Sequence, residues 1–405
     1  MCMGLIGILS PDEMKYTEPT SPHLRPGRMQ CNHSPPFLGP LGHSSLPFFH
    51  RFFQKLAKVQ NPSPVIPMAS GEGTGDPKTA ASGGEAEMEV QEAELCLDLM
   101  SCQLHDLSEV EIPSTLEELD LTANRLAAVD PRIGHLTALR KLSFRQNLLE
   151  DDAVAPLSTW DAIAGLQELV LRDNKLTKIP DASIFKSLLV FDVSFNEISS
   201  LNGLSKVSST VKELYVSKNE VAKMEELEHF HALQMLELGS NRLRVMENLE
   251  TLTNLQELWL GRNRIRTINL CGLKSIKKIS LQSNRLTAMN GLQDCVALEE
   301  LYLSHNGIQK MEGLSNLQNL RVLDVSSNKL TVVEDIETLT RLEDLWLNDN
   351  QIPSLDGIES ALSGSRETLT TIYLERNPCA KTPDYSSTLK KIFPNLEQID
   401  SDMLT

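Results

Sequence analysis

Aromatic residues are scarce in this chain: 3 Trp, 5 Tyr and 11 Phe make up 5% of 405 residues. A core built on large rings is excluded, so most of the 40% hydrophobic content has to pack as aliphatic side chains. Cysteine is also sparse. Cys2, Cys31, Cys96, Cys102, Cys271, Cys295 and Cys379 are odd in number and scattered, without the paired clusters that cap secreted repeat proteins. That pattern argues against a disulfide framework and for a reducing compartment. No apolar run approaches the ~20 residues that span a bilayer. The opening ten residues carry no basic leader and make a poor secretory signal.

Signatures of chemistry are missing too. Gly71 to Thr79 resembles a phosphate-binding loop at a glance, but Pro77 stands where glycine must precede Lys78, and no strand leads in. His229 and His231, close to Glu225, Glu226 and Glu228, fall in a connector and lack metal-ligand spacing. Cys31, His33 and His43 have no rigid frame around them. No nucleophile elbow, kinase signature or zinc-protease helix occurs. The sequence therefore nominates no catalytic residue, no metal and no cofactor.

Basic residues are outnumbered, 38 Lys/Arg against 55 Asp/Glu, and the imbalance is uneven. Residues 1–67 hold 6 bases and 3 acids, residues 68–94 hold 1 and 7, and the remainder holds 31 and 45, a net −14. Acidity of that size disfavours nucleic acid and anionic lipid as partners and favours a protein with a basic surface.

What the chain does have is a repeat. The frame Leu-x-x-Leu-x-Leu-x-x-Asn-x-Leu reads plainly at Leu255, Leu258, Leu260, Asn263 and Ile265. Its asparagine returns at Asn124, Asn147, Asn174, Asn196, Asn219, Asn241, Asn263, Asn284, Asn306, Asn328, Asn350 and Asn377, and Cys102 takes its place one turn earlier. Most gaps are 21 to 23 residues; Asn147 to Asn174 and Asn350 to Asn377 are each 27 and carry insertions. This is the leucine-rich-repeat pattern in about 13 units. It predicts an α/β solenoid with a parallel sheet on a concave face and short 3₁₀ or α connectors on the convex face. The expected boundaries are a disordered Pro/Ser/Gly-rich segment over 1–94, the array over 95–380 and a C-terminal cap over 381–405. Phe49, Phe52, Phe53 and Leu56 fall at helical spacing beside basic residues, read here as a transient helix; Met68 is expected to serve as an alternative start.

The residue between the paired leucines points out of the inner face. In order these are Asp98, Asp120, Ser143, Val170, Asp192, Tyr215, Glu237, Trp259, Ser280, Tyr302, Asp324, Trp346 and Tyr373. Five of the chain's 8 Trp and Tyr sit in this row, against about 0.3 by chance placement, and the row holds 5 carboxylates and no Lys or Arg. Glu213, Glu257, Glu300 and Asp344 join it on the same face. Sheet propensity accounts for aromatics in strands but not for large rings on a solvent-facing wall. Packing area, polar handles and negative charge together describe a docking surface for a folded partner.

Leu233 to Arg242, Tyr302 to Gly307 and Tyr373 to Pro378 closely resemble the leucine-rich-repeat regulatory subunits of type-1 protein phosphatase. The resemblance is strong over about 185–405 and looser before that, and Asp384 to Asp400 is similar to the family's cap. It implies a non-catalytic protein of nucleus and cytoplasm whose concave face holds the catalytic subunit of type-1 Ser/Thr protein phosphatase, with room for a further phosphatase inhibitor in a ternary complex. By repeat phase, Asp192, Glu237, Asp324, Trp346 and Tyr373 match contact positions; Tyr215 and Trp259 stand where the family often has Phe, and Asp344 where it often has Glu. Arg140 to Phe144 resembles a phosphatase docking peptide, but Leu142 and Phe144 are core positions. The alternative is a structural or cytoskeletal adaptor of tubulin or dynein type; an RNA-associated repeat protein is disfavoured by the acidic face.

Overall fold

The computed structural model describes residues 95–404. Expectations for residues 1–94, including the helix around Phe52 and the start at Met68, lie outside the described residues.

Thirteen three-residue strands stack in chain order in one sheet. They are β1 (Cys96–Asp98), β2 (Glu118–Asp120), β3 (Lys141–Ser143), β4 (Glu168–Val170), β5 (Val190–Asp192), β6 (Glu213–Tyr215) and β7 (Met235–Glu237). They continue as β8 (Glu257–Trp259), β9 (Lys278–Ser280), β10 (Glu300–Tyr302), β11 (Val322–Asp324), β12 (Asp344–Trp346) and β13 (Thr371–Tyr373). All pair in parallel, each with the next. After them β14 (Gln398–Ile399) pairs in parallel with β13, and β15 (Asp402–Met403) folds back antiparallel.

No single unit can bury its own leucines; stacking does it. After the first unit the middle residue of each strand, such as Leu214, Leu236, Leu258 and Leu301, is buried, as are the frame positions on either side of these four. A fully buried leucine contributes about 1.5–3 kcal/mol, so stability is distributed along the array rather than concentrated in one core.

The asparagines explain why the turn after each strand has one shape. The residue before the frame Asn, or before Cys102, adopts left-handed backbone with φ between 51° and 60°, and none of these residues is glycine. Such a conformation costs about 1–2 kcal/mol per residue. The buried amide compensates. Asn263 Nδ2 donates to the carbonyls of Leu238 (2.9 Å) and Leu260 (3.0 Å), while its Oδ1 accepts from Leu243 N–H (3.0 Å). All twelve asparagines accept from the preceding unit in the same way. Each therefore closes its own turn and ties it to its neighbour. Cys102, at the first unit, makes a weaker local contact, Sγ to Met100 O at 3.6 Å.

Helical connectors are short 3₁₀ or α turns, as the unit length predicts: Pro131–His135 and Leu204–Lys206 are 3₁₀ turns in 23-residue gaps, and α-helical turns occur where residues are spare. The first 27-residue gap holds α1 (Asp151–Val154) and two 3₁₀ turns, and the second holds α2 (Ile358–Ala361) with one more. Between Val207 and Gly357 the connectors are turns without helix. Aromatics are not confined to the row, either. Trp160 lies in a connector and packs against Gly134, where an added Cβ would come within 2.7 Å of the indole. At the other end α3 (Tyr385–Ile392) buries Tyr385 and Leu389, and Phe393, Leu396 and Ile399 complete the cover over the last unit. Among the described residues no helix is long and apolar enough to cross a membrane.

Candidate partner-binding face

Strand register decides whether the row is continuous. Tyr215 pairs with Glu237, Glu237 with Trp259, Trp259 with Ser280, Ser280 with Tyr302, Tyr302 with Asp324, Asp324 with Trp346, and Trp346 with Tyr373. Asp192 pairs with Tyr215 at the start. Because side chains alternate across a strand, the first and third residues share the side opposite the buried leucine. Asp344, first in β12, thus lies on the same side as the nine row residues.

The face has a two-unit period. Strands β2, β4, β6, β8, β10 and β12 open with Glu118, Glu168, Glu213, Glu257, Glu300 and Asp344; those between open with Lys141, Val190, Met235, Lys278 and Val322. Like charges directly opposite each other destabilise a sheet, and acids in alternate strands are about 9.6 Å apart rather than 4.8 Å. From β6 onward the same strands end in an aromatic residue. Tyr215 Oη donates to Glu213 (2.7 Å), Trp259 Nε1 to Glu257 (3.2 Å) and Tyr302 Oη to Glu300 (2.8 Å). Lys278 stands between two of these acids, 3.7 Å from Glu257 and 3.5 Å from Glu300. Its signal was in the sequence as Glu-Leu-aromatic triplets at alternate units. Reading the central row alone missed both the period and this lysine.

Short residues between the rings let them lean together. Trp259 and Tyr302 stack over Ser280 with centroids 6.4 Å apart and planes at 22°, and Ser280 is only 4% exposed beneath them. Trp346 meets Tyr373 edge-on at 5.8 Å. The leaning also corrects an expectation. Asp324, read as a presented acid, is 1% exposed between Tyr302 and Trp346; its Oδ1 accepts from Ser326 N–H (2.9 Å) and Oγ (2.6 Å). Asp192 is 9% exposed, accepts from Ser194 N–H at 2.8 Å and lies 3.8 Å from Arg172. Tyr302 keeps only 8% of its surface. Tyr215, Glu237, Trp259, Asp344, Trp346 and Tyr373 are half-buried and present their remaining surface on this side.

Burial sets the protonation behaviour. It pushes the carboxyls of Asp324, Asp192 and Glu237 upward, against hydrogen bonds from serine at each site and, at Asp192 and Glu237, the field of Arg172. The phenols of Tyr215 and Tyr302 rise strongly, through burial first and then the paired glutamate, so they stay neutral donors. A carboxyl with a raised folded-state value binds its proton more tightly folded than unfolded. Its stabilisation is complete below the ordinary carboxylate range and is lost as pH rises through the folded value. Asp324→Asn keeps an acceptor for Ser326 without the buried charge. It is expected to unfold in urea at pH 7 no earlier than the parent chain, and to lose less stability between pH 5 and pH 7. A lower midpoint for Asp324→Asn at pH 7 contradicts this.

Among the described residues no cluster of three or more His, Cys, Asp or Glu is arranged to hold a metal. His229 instead bonds Val207 O at 3.0 Å, and His231 approaches Thr251 O at 3.4 Å.

Comparison with known proteins agrees with this architecture. The leucine-rich-repeat model (two copies) matches residues 296–334 and 318–360. Among solved structures, a leucine-rich-repeat protein of Leptospira interrogans superposes with TM-score 0.57 at 27% identity, over 70% of this chain and 78% of that one. An internalin of Listeria monocytogenes gives TM-score 0.60 at 20% identity, over 72% and 90%. The protein phosphatase 1 regulatory inhibitor subunit PPP1R7 homolog of Arabidopsis thaliana is 69% identical over 315 residues, 78% of this chain and 96% of that protein. With that identity over nearly the whole length of that relative, the chain belongs to the leucine-rich-repeat family of protein phosphatase 1 regulatory subunits represented by the PPP1R7 homolog.

Proposed function

We propose that the chain is a non-catalytic regulatory subunit that docks the catalytic subunit of type-1 Ser/Thr protein phosphatase on the open face of its sheet. The observation that carries this reading is the unbroken row from Asp192 to Tyr373, in which five rings, three of them hydrogen-bonded to a neighbouring glutamate, are interspersed with short or acidic residues. Rings fixed by a neighbouring carboxylate lose little freedom on binding, which favours their use as anchors. Eight rises from β5 to β13 at about 4.8 Å give a wall of roughly 40 Å, matched to a globular domain rather than a short peptide. The acidic side chains call for a basic or mixed partner surface and speed its encounter.

Regulation then follows from occupancy. A partner held along the wall has its activity, maturation or distribution between nucleus and cytoplasm altered by what the wall covers, and a further phosphatase inhibitor can join as a third component. The test is reconstitution from the full chain and pure catalytic subunit, with dephosphorylation of a phosphoprotein assayed before and after mixing. A stoichiometric complex with a changed rate is expected; two separate peaks at micromolar concentration and an unchanged rate would sink the proposal.

A further inference from the structure

The array carries a net −14, yet five arginines gather on one flank of it, where the chain leaves three successive strands. Arg242, Arg264 and Arg285 each follow a frame asparagine, and their backbone N–H groups donate to Val221 O, Leu243 O and Ile265 O at 2.8 Å in each case. Equivalent bonds in consecutive units put the three residues in one column, one solenoid rise of about 4.8 Å apart. Arg244 and Arg266 form a second column two residues further on, with the buried Leu243 and Ile265 between the columns. Val245, 54% exposed, adds an apolar spot beside them.

The residues at the same two positions in the flanking units are Glu220 and Ala222 on one side and Gly307 and Gln309 on the other. Glu220 pairs with Arg242 at the border. No other acid occupies these two columns from Glu220 to Gln309. Cations stacked in register repel one another, so this arrangement is unfavourable until an anion lies across it. All five are arginine rather than lysine, and the guanidinium fork binds carboxylates two bonds at a time.

We propose that this flank is a second docking surface, distinct from the aromatic row, and that its ligand is an extended acidic segment of a partner protein with an apolar residue beside its carboxylates. The column of three spans about 10 Å, the length of three residues of extended chain. A run of Asp and Glu fits that line, and Val245 receives the apolar neighbour. The strongly acidic array around the patch opposes the longer polyanion of a nucleic acid.

The test is fluorescence anisotropy with the full chain and a labelled twelve-residue peptide of Glu and Asp carrying one Leu. Binding that weakens at least tenfold between low and physiological salt is expected, as is a tenfold or greater loss in Arg264→Glu/Arg266→Glu and in the milder Arg242→Ala/Arg285→Ala. Control Lys310→Glu, in a connector outside the two columns, should bind as the parent does. Circular dichroism and urea midpoint read folding separately, and the alanine variant serves if the reversal unfolds. No binding at low salt, undiminished binding by both folded variants, or tighter binding of single-stranded RNA or of a phosphoserine peptide at the same arginines overturns the assignment. None of these readouts involves the phosphatase, so they stand or fall apart from the function proposed above.

Discussion

Trp346→Ala should reduce capture of the phosphatase catalytic subunit about 30-fold or more while the array stays folded. The indole sits between Asp324 and Tyr373 in the row, meets the Tyr373 ring at 5.8 Å and keeps part of its surface on the open side. Truncating an interfacial aromatic anchor of that kind commonly costs about 2 kcal/mol or more, which is the 30-fold quoted. Loss of the ring also uncovers Asp324, which becomes easier to ionise, so added negative charge cannot be what weakens binding to a basic surface. Surface plasmon resonance with immobilised catalytic subunit measures the affinity, and a urea titration checks the fold. Glu237→Lys is the charge-side companion: half-buried in the same row, it should slow association and steepen no salt dependence, because it removes an attractive charge. Asp324→Lys is a poor probe of the same question, since a lysine in that covered position would disturb the turn held through Ser326.

The second large effect is on stability. Asn263→Leu should lower the unfolding free energy by about 3 kcal/mol or more, because two carbonyls and one N–H are left buried without their amide partner, at about 1 kcal/mol or more for each group. Leu238, Leu260 and Leu243 supply those groups, so the damage spans two units at once. The left-handed turn at Arg262 also loses the contact that holds it. In a solenoid each unit is supported only by its neighbours, so a failed central unit divides the array. Cys102→Ala, at the first unit, should cost well under half as much. Urea denaturation of the two variants side by side gives the comparison; equal midpoints would mean the asparagine ladder is not what fixes the stack.

The contrast between these residues shows what the sequence made legible. Frame, unit count and strand phase follow from leucine and asparagine spacing, because the middle strand residue is buried in every unit after the first. The candidate row was legible for the same reason, since phase alone assigns every third strand residue to a side. Side-chain reach was not. That Trp259 and Tyr302 would close over Ser280, and that Asp324 would be covered, depends on how rings lean across a neighbouring unit. Lys278 was hidden differently: it belongs to the first strand position, and its role emerges only beside Glu257 and Glu300. Short connectors were legible from unit length, but which units would coil was not: α-helical turns fall only in the two longer gaps, while Pro131–His135 and Leu204–Lys206 form 3₁₀ turns within 23-residue gaps. Trp160 was invisible as a packing residue until Gly134 placed a gap opposite its ring.

The most direct measurement is site-specific photocrosslinking of the full chain to the phosphatase catalytic subunit. A benzoylphenylalanine at Tyr215 or Trp259, on the open side of the sheet, should form a covalent adduct with the catalytic subunit on irradiation. The same probe at Val332, 54% exposed in a connector, should not. Adducts from Val332 with none from Tyr215 or Trp259 would contradict docking along the aromatic wall.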